Sequence, residues 1–173
     1  MELKVNTNQH FIMMVGVAGA GKSTYAEDHA RFLRQELERE VVILSSDALR
    51  EEMYGDASIQ VGTDKVFTEM HNRTINSLAQ GYDVIYDATN LQRKYRTPLI
   101  HDVKEIAPDC QLICIVVDTP LGECLARNQK RDRHVPEYVI KRQFHQKEDP
   151  TYDEGWNTIM WKIPEEQSRC GKC

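Results

Sequence analysis

The chain has 173 residues, a formal net charge of −5, 40% hydrophobic residues and 28% charged residues. That length suits one domain, or one domain with a short appendage, and the negative charge argues against a protein that coats nucleic acid through bulk charge. The longest apolar stretch, residues 11–18, is far shorter than the roughly 20 residues of a membrane helix, and residues 1–10 lack a basic-then-apolar secretion signal.

An odd number of cysteines, Cys110, Cys114, Cys124, Cys170 and Cys173, points to free thiols in a reducing compartment. The expectation is a cytoplasmic protein without a membrane partner. A single domain is expected over 1–173, with its core at about 11–163, a lid at about 127–146 and a polar tail at 164–173.

Short apolar runs alternate with longer amphipathic ones along the chain. Residues 11–15 predict a buried strand. Residues 25–40 predict a helix, with Ala26, Ala30, Leu33 and Leu37 on one face. A second strand follows at 41–44, a short helix at 47–53 and a turn-rich stretch at 55–62. Phe67, Met70, His71, Thr74 and Leu78 mark another helix, closed by Gly81 as a left-handed cap.

Residues 84–86 predict a third strand, and 93–106 a helix interrupted or restarted near Pro98. Residues 112–117 predict a fourth strand. Thr119 before Pro120 reads as a hydroxyl cap with proline at the first helical position. Pro136 opens a helix to about residue 146. Ile159, Trp161 and Ile163 alternate with polar residues as a last, half-buried strand, and core packing is the expected role of Trp156 and Trp161. Strands separated by helices predict an α/β fold, a parallel sheet flanked by helices on both faces, with ligands beyond the carboxyl ends of its strands.

The segment Gly16-Val17-Ala18-Gly19-Ala20-Gly21-Lys22-Ser23 matches G-x-x-x-x-G-K-[ST] between a strand and a helix, the context of a nucleotide-binding P-loop. Its glycines let backbone N–H groups turn inward as an anion nest, and the next helix adds its positive end. Lys22 places a charge on the β- and γ-phosphates of ATP, and Ser23 offers a hydroxyl to Mg²⁺. Thr24 completes the loop.

Asp47 follows the second strand and could accept a proton from an attacking hydroxyl; its bland role is a helix cap. Arg50, one turn on, faces the same side, as a contact for a phosphate-bearing acceptor or as a surface ion pair. Asp87, at the end of the third strand, fits a Mg²⁺ partner of Ser23 or an ordinary turn, with Thr89 and Asn90 beside it.

Arg127, Lys130, Arg131, Arg133 and His134 cluster before a restarted helix. They read as a helix–loop–helix lid supplying cations to the transferred phosphoryl group, or as a solvated basic face. The stretch from residue 92 to 146 is net basic in a net acidic chain, which fits a short electropositive groove better than duplex binding. The pair Cys170 and Cys173 lacks the second pair that structural zinc requires.

Together, residues 16–24, Ser45-Ser46-Asp47 with Arg50, Asp87-Ala88-Thr89-Asn90, and Arg127-Asn128 with Arg131 and Val135-Pro136-Glu137 resemble the kinase domain of polynucleotide 5′-hydroxyl kinases and related small bacterial P-loop ATPases or kinases. The resemblance covers about residues 11–146. It implies a P-loop kinase fold with a mobile lid and transfer of the γ-phosphate of ATP to a 5′-hydroxyl end of RNA or DNA.

By the same resemblance, Gly16, Gly19, Ala20, Gly21, Lys22, Ser23 and Thr24 contact ATP, with Arg131 and its supporting Arg127 from the lid. Asp47 is the general base and Arg50 binds the acceptor's phosphate. Thr89, Asn90 and Arg96 match positions near the acceptor, while Ser23 and Asp87 match the metal side. The residues themselves leave open a small-molecule kinase for a nucleoside, sugar or antibiotic, and an ATP-dependent switch.

Overall fold

The protein is described by a computed structural model over residues 9–57 and 62–163. The cysteine pair Cys170 and Cys173, the polar tail and part of the expected turn at 55–62 lie outside the described residues. Five parallel strands, β1 (His10–Val15), β2 (Val41–Ser45), β3 (Asp83–Asp87), β4 (Gln111–Val117) and β5 (Thr158–Lys162), lie in the order β2-β3-β1-β4-β5. Between them run the helices α1 (Lys22–Glu36), α2 (Ser46–Tyr54), α3 (Thr63–Ala79), α4 (Arg93–Ile106), α5 (Leu121–Gln129) and α6 (Glu137–Gln146).

The central strand explains the layering. Side chains alternate across a strand, so β1 must be apolar throughout when both sheet faces are covered. Phe11, Met13 and Val15 pack with Val84, Tyr86 and Leu112 against Leu49, Met70 and Leu99 of α2, α3 and α4. Ile12 and Met14 pack on the opposite face, with Ile85 and Ile115 against Ala30 and Leu33 of α1, Cys124 of α5 and Ile140 of α6. Each large apolar side chain so buried contributes about 1.5–3 kcal/mol. These layers realise the parallel sheet with helices on both faces.

The ends of several elements differ from expectation for local reasons. Gly21, at φ 102°, turns the chain into α1 directly after the phosphate loop, so the helix starts at Lys22 and not at residue 25. It ends at Glu36, leaving Leu37 half exposed instead of on the buried face. Helix α4 passes through Pro98 without a break, because Leu99, Ile100 and Val103 bury its inner face on both turns that follow. Thr119 does not cap α5; its hydroxyl donates to the Ala20 carbonyl at 2.7 Å. Trp156 is buried in the core as expected, whereas Trp161 is 45% exposed on the edge strand with the Lys147 ammonium above its ring.

The strand order places a crevice between the carboxyl ends of β1 and β3, where successive connections leave on opposite sides of β1. The Gly16 amide donates to the Thr89 carbonyl across it at 3.0 Å. Among the described residues, no helix is long and apolar enough to cross a membrane.

Candidate active site

The phosphate loop is shaped by contacts that exclude larger residues. A Cβ on Gly16 would lie 2.8 Å from the Val117 carbonyl, and one on Gly19 only 2.5 Å from that of Cys124. Gly19 also needs its φ of 82°, which side-chain-bearing residues rarely adopt. Helix α5 therefore supports the loop from below. Thr119 Oγ1 and Arg127 Nη1, at 3.0 Å, both donate to Ala20 O, and Arg127 also pairs with Glu123. Arg127 thus belongs to the loop's scaffold and stands beside Gly21.

Lys22 is buried and donates to the Val17 carbonyl at 2.9 Å, within its own loop. Burial pulls its pKa below the ordinary lysine value, opposed by the charges of Asp87 and Asp47. Ser23 is exposed and donates to Asp87 Oδ2 at 2.7 Å. Burial pushes the Asp87 carboxyl pKa up, against the hydrogen bond from Ser23 and the charge of Lys22. An exposed hydroxyl beside a poorly solvated carboxylate is a hard-oxygen pair that a divalent cation would complete. Thr24 is exposed on the first turn of α1.

Asp47 stands at the start of α2, but Ser45 is the cap, its hydroxyl accepting from the Ala48 amide at 3.4 Å. The Asp47 carboxylate is thereby left for other partners. Arg50 Nη1 reaches Asp47 Oδ1 at 3.3 Å from α2, and Arg133 Nη1 reaches the same oxygen at 3.1 Å from the loop between α5 and α6. Burial lowers the Arg50 pKa, an effect that Asp47 opposes and Arg133 reinforces.

Asp47, Lys130, Arg131, Asp132, Arg133 and Val135 line a cleft of about 390 Å³. Arg131 is exposed on its wall, near enough for its charge to act on Lys22 and Asp87. The structure therefore brings Asp47, Asp87 and Arg131, far apart in sequence, to Lys22 and Ser23 of the phosphate loop. A larger surface cleft of about 630 Å³, lined by Lys104, Asp109, Cys110 and Asn157, lies where β4 begins, at the opposite end of the sheet from this chemistry.

Two expected acceptor residues face elsewhere. Arg96 is fully buried, its guanidinium bonded to both carboxylate oxygens of Glu154 and to the carbonyls of Asn90 and Glu148. It braces the loop after β3 and does not reach the cleft. Asn90, at φ 46°, donates from Nδ2 to Met14 O at 2.7 Å and to Ala88 O at 3.3 Å, stitching β3 to β1. Thr89 takes part through its carbonyl, by accepting from Gly16.

Other residues act here to which the sequence assigns no role. Gln143 of α6 accepts from the Ala18 amide at 2.9 Å. Asn128 donates to Val135 O at 2.8 Å and accepts from Val135 N at 2.9 Å, closing the loop between α5 and α6 at its base. Arg133 was visible in sequence only as part of a charge run. Asn128 and Val135 lie within a segment that carries the resemblance, but it assigns no role to either; Gln143 carries no signal, since its partner is a backbone group brought near by the fold.

A parallel five-stranded sheet with a glycine-rich phosphate loop after its central strand defines a P-loop protein with a kinase-like fold. The family model described as AAA domain matches residues 11–150, and the chain belongs to that family.

The fold is similar to that of Chaetomium thermophilum Kti12 in complex with ADP-AlF3, at TM-score 0.71 and 15% identity over 91% of each chain. It is similar to the Mycobacterium tuberculosis APS kinase CysC in complex with AMPPNP and APS, at TM-score 0.66 and 17% identity over 91% of this chain and 90% of that one. A chain of the Pnkp1/Rnl/Hen1 RNA repair complex matches 84% of this chain over 46% of its own length, at TM-score 0.62 and 24% identity.

Proposed function

We propose that this protein transfers the γ-phosphoryl group of ATP to a hydroxyl, and that the acceptor is the 5′-hydroxyl end of RNA or DNA. The observation that carries the reading is Asp47, held beside Arg50 in a cleft whose wall carries Arg131, within electrostatic reach of Lys22 in the phosphate loop. An acid so placed has no task in simple nucleotide binding.

In the proposed reaction the acceptor oxygen attacks the γ-phosphorus in line, and the bond from that phosphorus to the β,γ-bridging oxygen breaks. ADP leaves, and the hydroxyl proton passes to Asp47. Lys22, released from Val17 O by the incoming phosphates, and Arg131 hold the negative charge as it shifts. Ser23 and Asp87 would hold Mg²⁺, which supplies Lewis-acid polarisation of the phosphate oxygens. Arg50 would meet an anionic group of the acceptor.

The nucleic-acid acceptor is supported by the four-segment resemblance and by the open form of the cleft, whose lining residues Asp47, Lys130, Arg131 and Asp132 are all exposed. A small-molecule acceptor is the second reading, favoured by the fold's similarity to a Sinorhizobium meliloti gluconokinase, at TM-score 0.57 and 19% identity over 91% of this chain and 83% of that one.

The test is transfer from labelled ATP to a 5′-OH oligonucleotide, a nucleoside panel and sugar acids. The expected result is a labelled 5′ end, lost by about 10²–10⁴-fold in Asp47→Ala while ATP still binds. Labelling of a small molecule alone selects the second reading. Full activity in Asp47→Ala removes Asp47 as the base, and hydrolysis without any transfer leaves an ATP-driven switch.

A further inference from the structure

One oxygen of the proposed base is already engaged. Arg50 and Arg133 both bind Asp47 Oδ1, at 3.3 and 3.1 Å. Two guanidinium groups on one carboxylate oxygen occupy its lone pairs and the approach to it. At least one arginine must let go before a hydroxyl can reach that oxygen.

The two arginines are not equally able to leave. Arg50 is anchored three residues along the same helix; its side chain is 8% exposed, and its guanidinium lies over the Phe67 ring at 5.9 Å. Arg133 is 29% exposed and sits on the loop that Asn128 closes by its two bonds to Val135. Arg133 is therefore the movable partner.

The anchored arginine also lacks something. Among the described residues Arg50 Nε is buried with no hydrogen-bond partner. Its Nη1 contacts, to Ser46 O and Asp47 Oδ1, are both long at 3.3 Å. A guanidinium so incompletely paired is costly unless a ligand completes it, and the missing partner must be a hydrogen-bond acceptor, best an anion.

We propose that Arg133 is a positioning residue that latches Asp47 until an anionic group on the acceptor, a phosphate beside the reactive hydroxyl, draws it away. The acceptor's anion then pairs with Arg50 and Arg133, and Asp47 Oδ1 is free to take the hydroxyl proton. This rests on the phosphotransferase reading of Asp47. It makes the latch a guard against water: without an anionic acceptor, Asp47 stays occupied and ATP is spared hydrolysis.

The experiment compares wild type, Arg133→Ala, Arg133→Lys and Asp47→Ala/Arg133→Ala in two assays. One is ATP hydrolysis without acceptor; the other is phosphoryl transfer to a nucleoside 3′-phosphate and to the matching nucleoside. Arg133→Ala is expected to raise acceptor-free hydrolysis about tenfold and to shrink by a similar factor the KM advantage of the 3′-phosphate. Arg133→Lys restores part of both effects, and removing Asp47 as well abolishes the extra hydrolysis.

Transfer in wild type combined with unchanged hydrolysis and an unchanged KM ratio in Arg133→Ala overturns the latch alone. Extra hydrolysis that persists without Asp47 does the same. No transfer by the wild type to either acceptor overturns the phosphotransferase reading for 5′-hydroxyls, and the latch with it.

Discussion

Arg96 and Arg50 are both buried near the cleft, at 0% and 7% exposure, but their surroundings treat the charge in opposite ways. Arg96 meets both oxygens of Glu154, at 2.7 and 2.6 Å, and two backbone carbonyls at 3.0 Å. Glu154 itself is further bonded by Trp156 Nε1. Arg50 has two long bonds from one nitrogen and a buried Nε without a partner among the described residues. A buried charge that is fully paired holds a structure in register, while one left partly unpaired waits for something outside the chain.

The sharpest way to break this contrast is to make the same substitution at both positions. Arg96→Met leaves the Glu154 carboxylate buried without its cation and is expected to cost about 3–5 kcal/mol, a fall in Tm of roughly 10 °C by thermal denaturation. Arg50→Met is expected to melt at or above the wild-type temperature while KM for an anionic acceptor rises about tenfold or more. Equal melting losses at the two sites would erase the distinction.

Asp87 extends the comparison to an acid. Its pKa is raised above the reference 3.8 by burial, so the folded protein holds this proton more tightly than the unfolded chain. Stability is therefore lost as pH rises from the unfolded value through the raised folded one, and the deficit persists above it. Asp87→Asn removes that fall: it is expected to melt a few degrees higher near neutral pH while losing Mg²⁺-dependent transfer. A lower Tm at neutral pH, in melts recorded across a pH series, would contradict it.

The smallest effect is expected at Gln143, whose single bond to the Ala18 amide ties α6 to the phosphate loop. Gln143→Ala should weaken ATP binding no more than about fivefold by titration calorimetry, one neutral hydrogen bond's worth.

The contrast also marks what sequence could show. Lys22 and Ser23 were legible because a phosphate loop needs its residues at fixed local spacing, and Asp47 and Asp87 because the fold aims strand ends at one crevice. The sheet was legible from apolar runs such as residues 11–15. Arg96 was not: a motif match places a guanidinium near a site without saying which way it faces, and Glu154 lies 58 residues away. Asn90 misled likewise, since its amide bonds backward to Met14. Trp161 looked like core by alternation, but an edge strand leaves it open to solvent. Arg133 became distinct from Lys130 and Arg131 only through its contact with Asp47 across the fold.

The closure of the loop between α5 and α6 bears on how two ligands would bind. Asn128 grips Val135 at both its amide and its carbonyl, so the intervening loop that carries Arg131 and Arg133 is tied together at its base. If nucleotide attracts one of these and acceptor the other, each ligand pre-positions that loop for its counterpart. Thermodynamic reciprocity then demands that both affinities rise by the same factor, a synergy that initial-rate kinetics would register as a dissociation constant for either substrate that drops when the other is saturating.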